Sequence, residues 1–335
     1  MDVFELLKRL IATKSITGEE GEIAGFLGDY LATAGFQVSL HFAGEGRPNV
    51  YAWAGTPTVV MSTHSDTVAP YVELGEDDDY IYGRGACDAK GCIAAMIKAG
   101  EALLESSVSA FGLMFVVGEE AGSAGAKAAN EVPNNSRYLL NGEPTESKMV
   151  LGSKGGLKAL VSAEGRAAHS AYPELGESAI EKLLDVIQDI RHAPLPANEL
   201  LGPTTMNVGT IKGGVGANVI APHAEAELFF RVVNDTTEIK RMLETVSAGR
   251  ARIDYTFECE PVFMERIEGM ETSVVSFTSD IPLLTRWGRP LLFGPGSIHD
   301  AHTSGEKISK LELAHAVGTY ANMVVRLQER ARNEN

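Results

Sequence analysis

Thr58-Val59-Val60-Met61-Ser62-Thr63-His64-Ser65-Asp66 is an apolar run that ends on an imidazole and, two residues later, a carboxylate. Similar stretches recur. Leu113-Met114-Phe115-Val116-Val117-Gly118 leads into Glu119-Glu120, and Tyr138-Leu139-Leu140 leads into Asn141-Gly142-Glu143-Pro144-Thr145. Gly294-Pro295-Gly296-Ser297 precedes Ala301-His302-Thr303, and Asp88 follows the turn Gly83-Arg84-Gly85-Ala86-Cys87. Short continuous apolar runs between glycine-rich turns are the pattern of strands buried on both faces. Open α/β sheets carry their sites at the carboxyl ends of such strands. His64, Asp88, Glu120, Glu143 and His302 are therefore expected to meet along one edge.

Outward from these strands, apolar spacing predicts a helix over residues 2–13. Thr17-Gly18-Glu19-Glu20 resembles a capping box opening a second helix, which Gly35 closes. Extended segments are expected at 37–41, 49–53 and 58–62, a buried helix at 90–106, a strand at 111–117, a short helix at 122–130 and a strand at 137–140. Alternation of this kind gives an α/β domain whose mixed central sheet is covered by helices. After about residue 153 the pattern changes to strands at 157–165, 206–212, 223–233 and 252–258, with helices at 178–192 and 235–246. That composition predicts an α+β insert with one sheet face covered. From about residue 267 the first pattern resumes, and Thr303-Ser304-Gly305-Glu306 is a second capping-box candidate before a long terminal helix. The expected organisation is a discontinuous catalytic domain, 1–154 and 267–335, interrupted by an inserted domain, 155–266.

The chain has 335 residues, 44% hydrophobic and 22% charged, in the range of a globular enzyme with room for two domains. Its net charge of −16, with no basic stripe, argues against nucleic acid as a partner. Cys87, Cys92 and Cys259 show no metal-ligand spacing and read as reduced thiols. Met1-Asp2-Val3-Phe4-Glu5 lacks the pattern of a signal peptide, and no apolar run approaches a membrane span. A cytoplasmic enzyme is the expectation.

Imidazole and carboxylate donors without thiolate suit zinc or a neighbouring divalent ion, cobalt and manganese included. Three carboxylates and one hydroxide would balance two divalent cations, so a low-dielectric site needs no further counter-charge. Asp66 is placed to accept the second ring N–H of His64 and fix its tautomer. Glu119 and Glu120 are adjacent, and in an extended segment they point in opposed directions. One can bind metal while the other faces the attacking water, and spacing does not say which. Gly83-Arg84-Gly85 is no dinucleotide turn, since Asp88 stands where the third glycine would fall.

The motifs Ser62-Thr63-His64-Ser65-Asp66, Gly83-Arg84-Gly85, Asp88-Ala89-Lys90-Gly91, Glu119-Glu120, Gly142-Glu143-Pro144 and Ala301-His302-Thr303 together resemble the dizinc metallopeptidase and deacylase family of acetylornithine deacetylase, succinyl-diaminopimelate desuccinylase and aminoacylase. The resemblance implies a zinc-exopeptidase-like catalytic domain with two Zn2+: His64 and Glu143 on one, Glu120 and His302 on the other, Asp88 between them. It selects His302 over the nearby His299, makes Glu119 the general base, and implies a cis Asp88–Ala89 peptide. The insert becomes a lid and dimerisation domain, through which a homodimer forms. His169 would stabilise the oxyanion, and Asn218 and Arg231 would bind substrate, Arg being suited to a bidentate carboxylate contact. The implied activity is removal of an acetyl or succinyl group from an amino acid such as acetylornithine, acetyl-lysine or succinyl-diaminopimelate. A dipeptidase or carboxypeptidase using the same metals is the alternative, and a catalytically silent metal-binding dimer scaffold is the reading from another class.

Overall fold

The computed structural model describes residues 1–334. The chain divides into two compact units: Met1–Leu151, Met264–Ser273 and Ser279–Asn335 form the first, and Gly152–Phe263 with Val274–Thr278 the second.

In the first unit the strands Val59–His64, Phe111–Val116, Tyr138–Asn141 and Arg289–Leu292 run parallel. Pro48–Ala54 joins Phe111–Val116 antiparallel, and Gln37–Phe42 pairs antiparallel at the edge. The sheet is mixed, as its sequence predicts. Alternate residues of Val59–His64, Phe111–Val116 and Tyr138–Asn141 serve two cores. Val59, Met61, Phe111, Leu113, Phe115, Tyr138 and Leu140 pack with the helices Val3–Ala12, Gly21–Thr33, Lys90–Glu105 and Lys310–Asn333. Val60, Met114, Val116 and Leu139 pack on the other face with Ala126, Ala129, Leu284 and Trp287. Burial on both faces is why these strands read as unbroken apolar runs.

The second unit is an antiparallel sheet, in the order Thr205–Gly213, His223–Val232, Gly155–Glu164 and Arg252–Cys259. The helices Ala179–His192 and Thr237–Ser247 lie on one face. Ala224, Ala226, Leu228, Phe230 and Val232 are buried while Glu225, Glu227, Phe229 and Arg231 are only half-buried, the period-two pattern of a sheet covered on one side. Among the described residues no helix is long and apolar enough to cross a membrane.

Neither expected capping box forms. The second helix starts at Gly21 with no side-chain cap, and Thr17 Oγ1 instead donates to Asp66 Oδ2 over 2.7 Å. The terminal helix starts at Lys310, where Ser309 accepts from the Glu312 amide. Glu306 is drawn inward: one carboxylate oxygen takes Arg84 Nη1 at 2.6 Å, and the other accepts from the amides of Cys87 and Asp88 at 3.3 and 3.2 Å. The short spacing that suggests a cap is outweighed by a buried cation and two free amides. Side chains of Arg84 and Glu306 are 3% and 0% exposed. Glu306→Ala strands the guanidinium and is expected to cost about 3–5 kcal/mol of stability by denaturant unfolding.

Candidate metal centre

His64 ends its strand, and the next residues are tied down at once: the Ser65 amide donates to the Val116 carbonyl at 2.8 Å, and Ser15 Oγ donates to the Ser65 carbonyl at 2.8 Å. Thr63 Oγ1 donates to the Gly142 carbonyl at 2.7 Å, which fixes the Glu143 loop beside it. Asp88 lies just before the helix Lys90–Glu105, on a cis peptide to Ala89, with its amide held by Glu306. Glu120 sits in the 3-10 turn Glu119–Ala121, and His302 in a loop ten residues beyond Leu292 at φ +62°.

These pieces converge. His64, Asp88 and Glu143 present ligand atoms that all lie within 4.8 Å of one another, and so do Asp88, Glu120 and His302. Asp88 belongs to both groups, and its two oxygens divide between them. Oδ1 is 3.0 Å from His64 Nε2, and Oδ2 is 3.2 Å from His302 Nε2. His64 Nε2 is 3.9 Å from Glu143 Oε2, and His302 Nε2 is 2.9 Å from Glu120 Oε1. The halves differ in access, His64 being 1% exposed and His302 49%. His299 is in neither group.

Asp66 does not meet His64 as expected. The His64 Nδ1–H donates to the Asp66 backbone carbonyl at 3.0 Å, while the carboxylate stands 3.5 Å away. That bond still leaves Nε2 free to ligate. The carboxylate turns to the glutamate pair, Oδ1 accepting from the Glu119 amide at 3.0 Å and Oδ2 from the Glu120 amide at 3.2 Å. Glu119 and Glu120 are thus in a tight turn and not in the extended segment expected, because Asp66 offers their amides better acceptors than a sheet neighbour would.

The electrostatics are those of crowded buried acids. Burial pushes Glu143 well above the ordinary carboxylate range against the pull of His64, with Glu119 and Asp88 adding to it. Burial does the same to Glu119, opposed by His64 and reinforced by Asp280, Asp88 and Glu120. For Asp88 burial is outweighed by His302 and His64, which hold it well below the usual range. Asp88 and Glu120 raise His302 to about 10. Burial depresses the His64 imidazolium, but Asp66 and Asp88 outweigh it and hold its pKa well above the ordinary value. Cations placed among these groups would neutralise the same carboxylates. The donor set, all nitrogen and oxygen, fits a pair of borderline or hard divalent ions.

One buried acid has no signal in the sequence. Asp280 is 1% exposed, its Oδ1 accepts no hydrogen bond, and burial raises it to about 6. It sits in Thr278-Ser279-Asp280-Ile281-Pro282, which reads as an ordinary polar turn.

The remaining candidates lie in the second unit. His169 bridges to Val219, and the Ser170 amide donates to the Asn218 carbonyl at 3.0 Å, so the two loops adjoin. The Ala171 amide donates to His169 Nδ1 at 3.1 Å, which places the ring proton on Nε2, where it can be donated. Arg231 is half-buried with its guanidinium 4.7 Å from the centroid of the Phe229 ring.

A mixed sheet beside which histidines and carboxylates gather into two groups sharing Asp88 defines a candidate dinuclear metal centre. A peptidase dimerisation domain model matches residues 151–252. A peptidase M20 domain-containing protein of Schizosaccharomyces pombe is 38% identical over 337 residues, covering 97% of this chain and 84% of that protein. A probable carboxypeptidase of Aspergillus fumigatus is 34% identical over 370 residues, covering 94% and 84%. A tripeptidase from Staphylococcus aureus superposes with a TM-score of 0.81 at 21% identity, covering 98% of both chains. This chain belongs to the M20 peptidase family.

Proposed function

We propose that the chain is a dinuclear metallo-exopeptidase that cleaves the amide next to a carboxylate-bearing residue of a short peptide. The observation that carries the metal reading is Asp88, whose two oxygens face two different imidazoles at 3.0 and 3.2 Å. His64 and Glu143 would hold one ion, Glu120 and His302 the other, with Asp88 shared. Zinc is the first choice, and cobalt or manganese would suit the same donors. Bound there, the ions would supply an acidified water and polarise the scissile carbonyl.

The rest is work for the chain's own groups. Glu119 takes a proton from the water and returns it to the leaving amine. Asp66 holds the Glu119 and Glu120 amides and supplies the carbonyl that orients His64. His169 donates its Nε2 proton to the oxyanion, and Asn218 and Arg231 hold the substrate carboxylate. Dimerisation through the second unit is supported by the domain match.

The similarity to a probable carboxypeptidase and a tripeptidase supports the peptide reading. An N-acyl amino acid presents the same amide beside the same carboxylate, so deacetylation or desuccinylation is the second reading. Amine release from di- and tripeptides and from N-acetyl and N-succinyl amino acids, with zinc or with chelator, tests both. Cleavage of the peptides, abolished by chelator, is expected. Cleavage of acyl amino acids alone would move the enzyme to the deacylase branch, and silence of the fully metallated protein toward the whole panel would favour the scaffold.

A further inference from the structure

We propose that Arg47 is a positioning residue for Glu119, acting through the loop that carries Glu119 and Glu120; this rests on the reading of Glu119 as the general base. Residues 117–125 form a loop whose neck is closed by its own amides, Ser123 donating to the Gly118 carbonyl at 2.7 Å and Gly125 to the Val117 carbonyl at 2.8 Å. Gly118, Gly122 and Ser123 all have left-handed backbone, at φ +76°, +88° and +54°. Those bonds fix the neck, and the surroundings help to set how the tip carries Glu119.

Three supports are in place. At the base, Asn49 accepts from the Val117 amide at 3.1 Å and donates to the Gly125 carbonyl at 2.8 Å, closing both ends with one buried side chain. At the tip, the Asp66 carboxylate takes the amides of Glu119 and Glu120. Between them lies Arg47. Its Nη2 would be 2.7 Å from a Cβ placed on Gly118, so the guanidinium lies close to the residue before Glu119, and a side chain there would have to displace it. Arg47 is itself immobilised by a two-pronged pair with Glu20, Nε to Oε2 at 2.8 Å and Nη2 to Oε1 at 2.6 Å, the Glu20 side chain being 0% exposed. It also lies within electrostatic reach of Asp66. Glu20, which the sequence suggests as a helix cap, is thus the anchor of a cation that lies beside the base's own loop.

A planar fork locked by two bonds sets a position more narrowly than a single contact does. Without it Gly118 can relax and the Glu119 carboxylate loses its aim, whereas Glu120 on the same turn is still held through its own carboxylate against His302, and the other ligand side chains sit on other segments. Arg47→Met is expected to lower kcat roughly 10- to 100-fold, the cost of a misplacement of about 1 Å, with KM and metal content unchanged. Because that variant strands a buried carboxylate, the double variant Glu20→Gln/Arg47→Met is measured beside it. It should melt near the parent and remain slow. The deciding measurement is Arg47→Met in a Glu119→Gln background, all as metallated protein. If Arg47 acts through Glu119, its replacement there causes no further loss. Parental kcat in the double variant, metal loss in step with activity, or a full additional loss in the Glu119→Gln background would each overturn the proposal. Parental activity of Glu119→Gln alone would instead overturn the base assignment.

Discussion

Glu119→Gln is expected to reduce kcat by about 10²–10⁴-fold, the usual contribution of a positioned general base, while both metal positions stay filled. The amide keeps the volume and the backbone contacts of the turn, since Asp66 binds the main-chain N–H of Glu119 and not its side chain. What disappears is the ability to take a proton. KM should change little, because the group acts on the water and not on the bound substrate. Steady-state kinetics with metal analysis on the same preparation checks it. Retention of parental kcat would refute the role, and loss of metal would make Glu119 a ligand.

Asp88→Ala should be more severe and different in kind. It removes the only carboxylate common to both ligand groups, so metal is lost from both positions, not one. It also leaves His64 Nε2 and His302 Nε2 without the oxygens now 3.0 and 3.2 Å away. Activity should fall by at least about 10³-fold, since losing several kcal/mol of charge stabilisation costs a decade per 1.4 kcal/mol. Titration with zinc or cobalt should show that added metal does not restore it. Replacing Glu120 by Gln should by contrast weaken one position and leave the other filled. Retention of a full metal complement by Asp88→Ala would show that Asp88 is not shared.

The parallel strands were legible because burial on both faces leaves an unbroken apolar run, as in Val59-Val60-Met61 and Leu113-Met114-Phe115. The polar residues that end those runs marked the site edge for the same reason. Where the sequence misled, a local rule met a distant partner. Thr17 and Glu20 have capping-box spacing, yet Thr17 reaches Asp66 and Glu20 reaches Arg47. Glu306 has the same spacing before the last helix, yet it binds Arg84, 222 positions away. Asp280 carried no pattern at all.

By itself, then, the sequence determined the buried parallel strands and the amphipathic helices, because apolar period and glycine placement are properties of a few neighbouring residues. Tertiary structure alone decided which oxygen of Asp88 faces which imidazole, that Asp66 holds the glutamate turn by its carboxylate and His64 by its carbonyl, and that the Arg47 guanidinium lies close to Gly118. Those contacts join residues as far apart in the chain as Asp88 and His302, and are settled by which buried polar group can reach a partner once the sheet has closed around it.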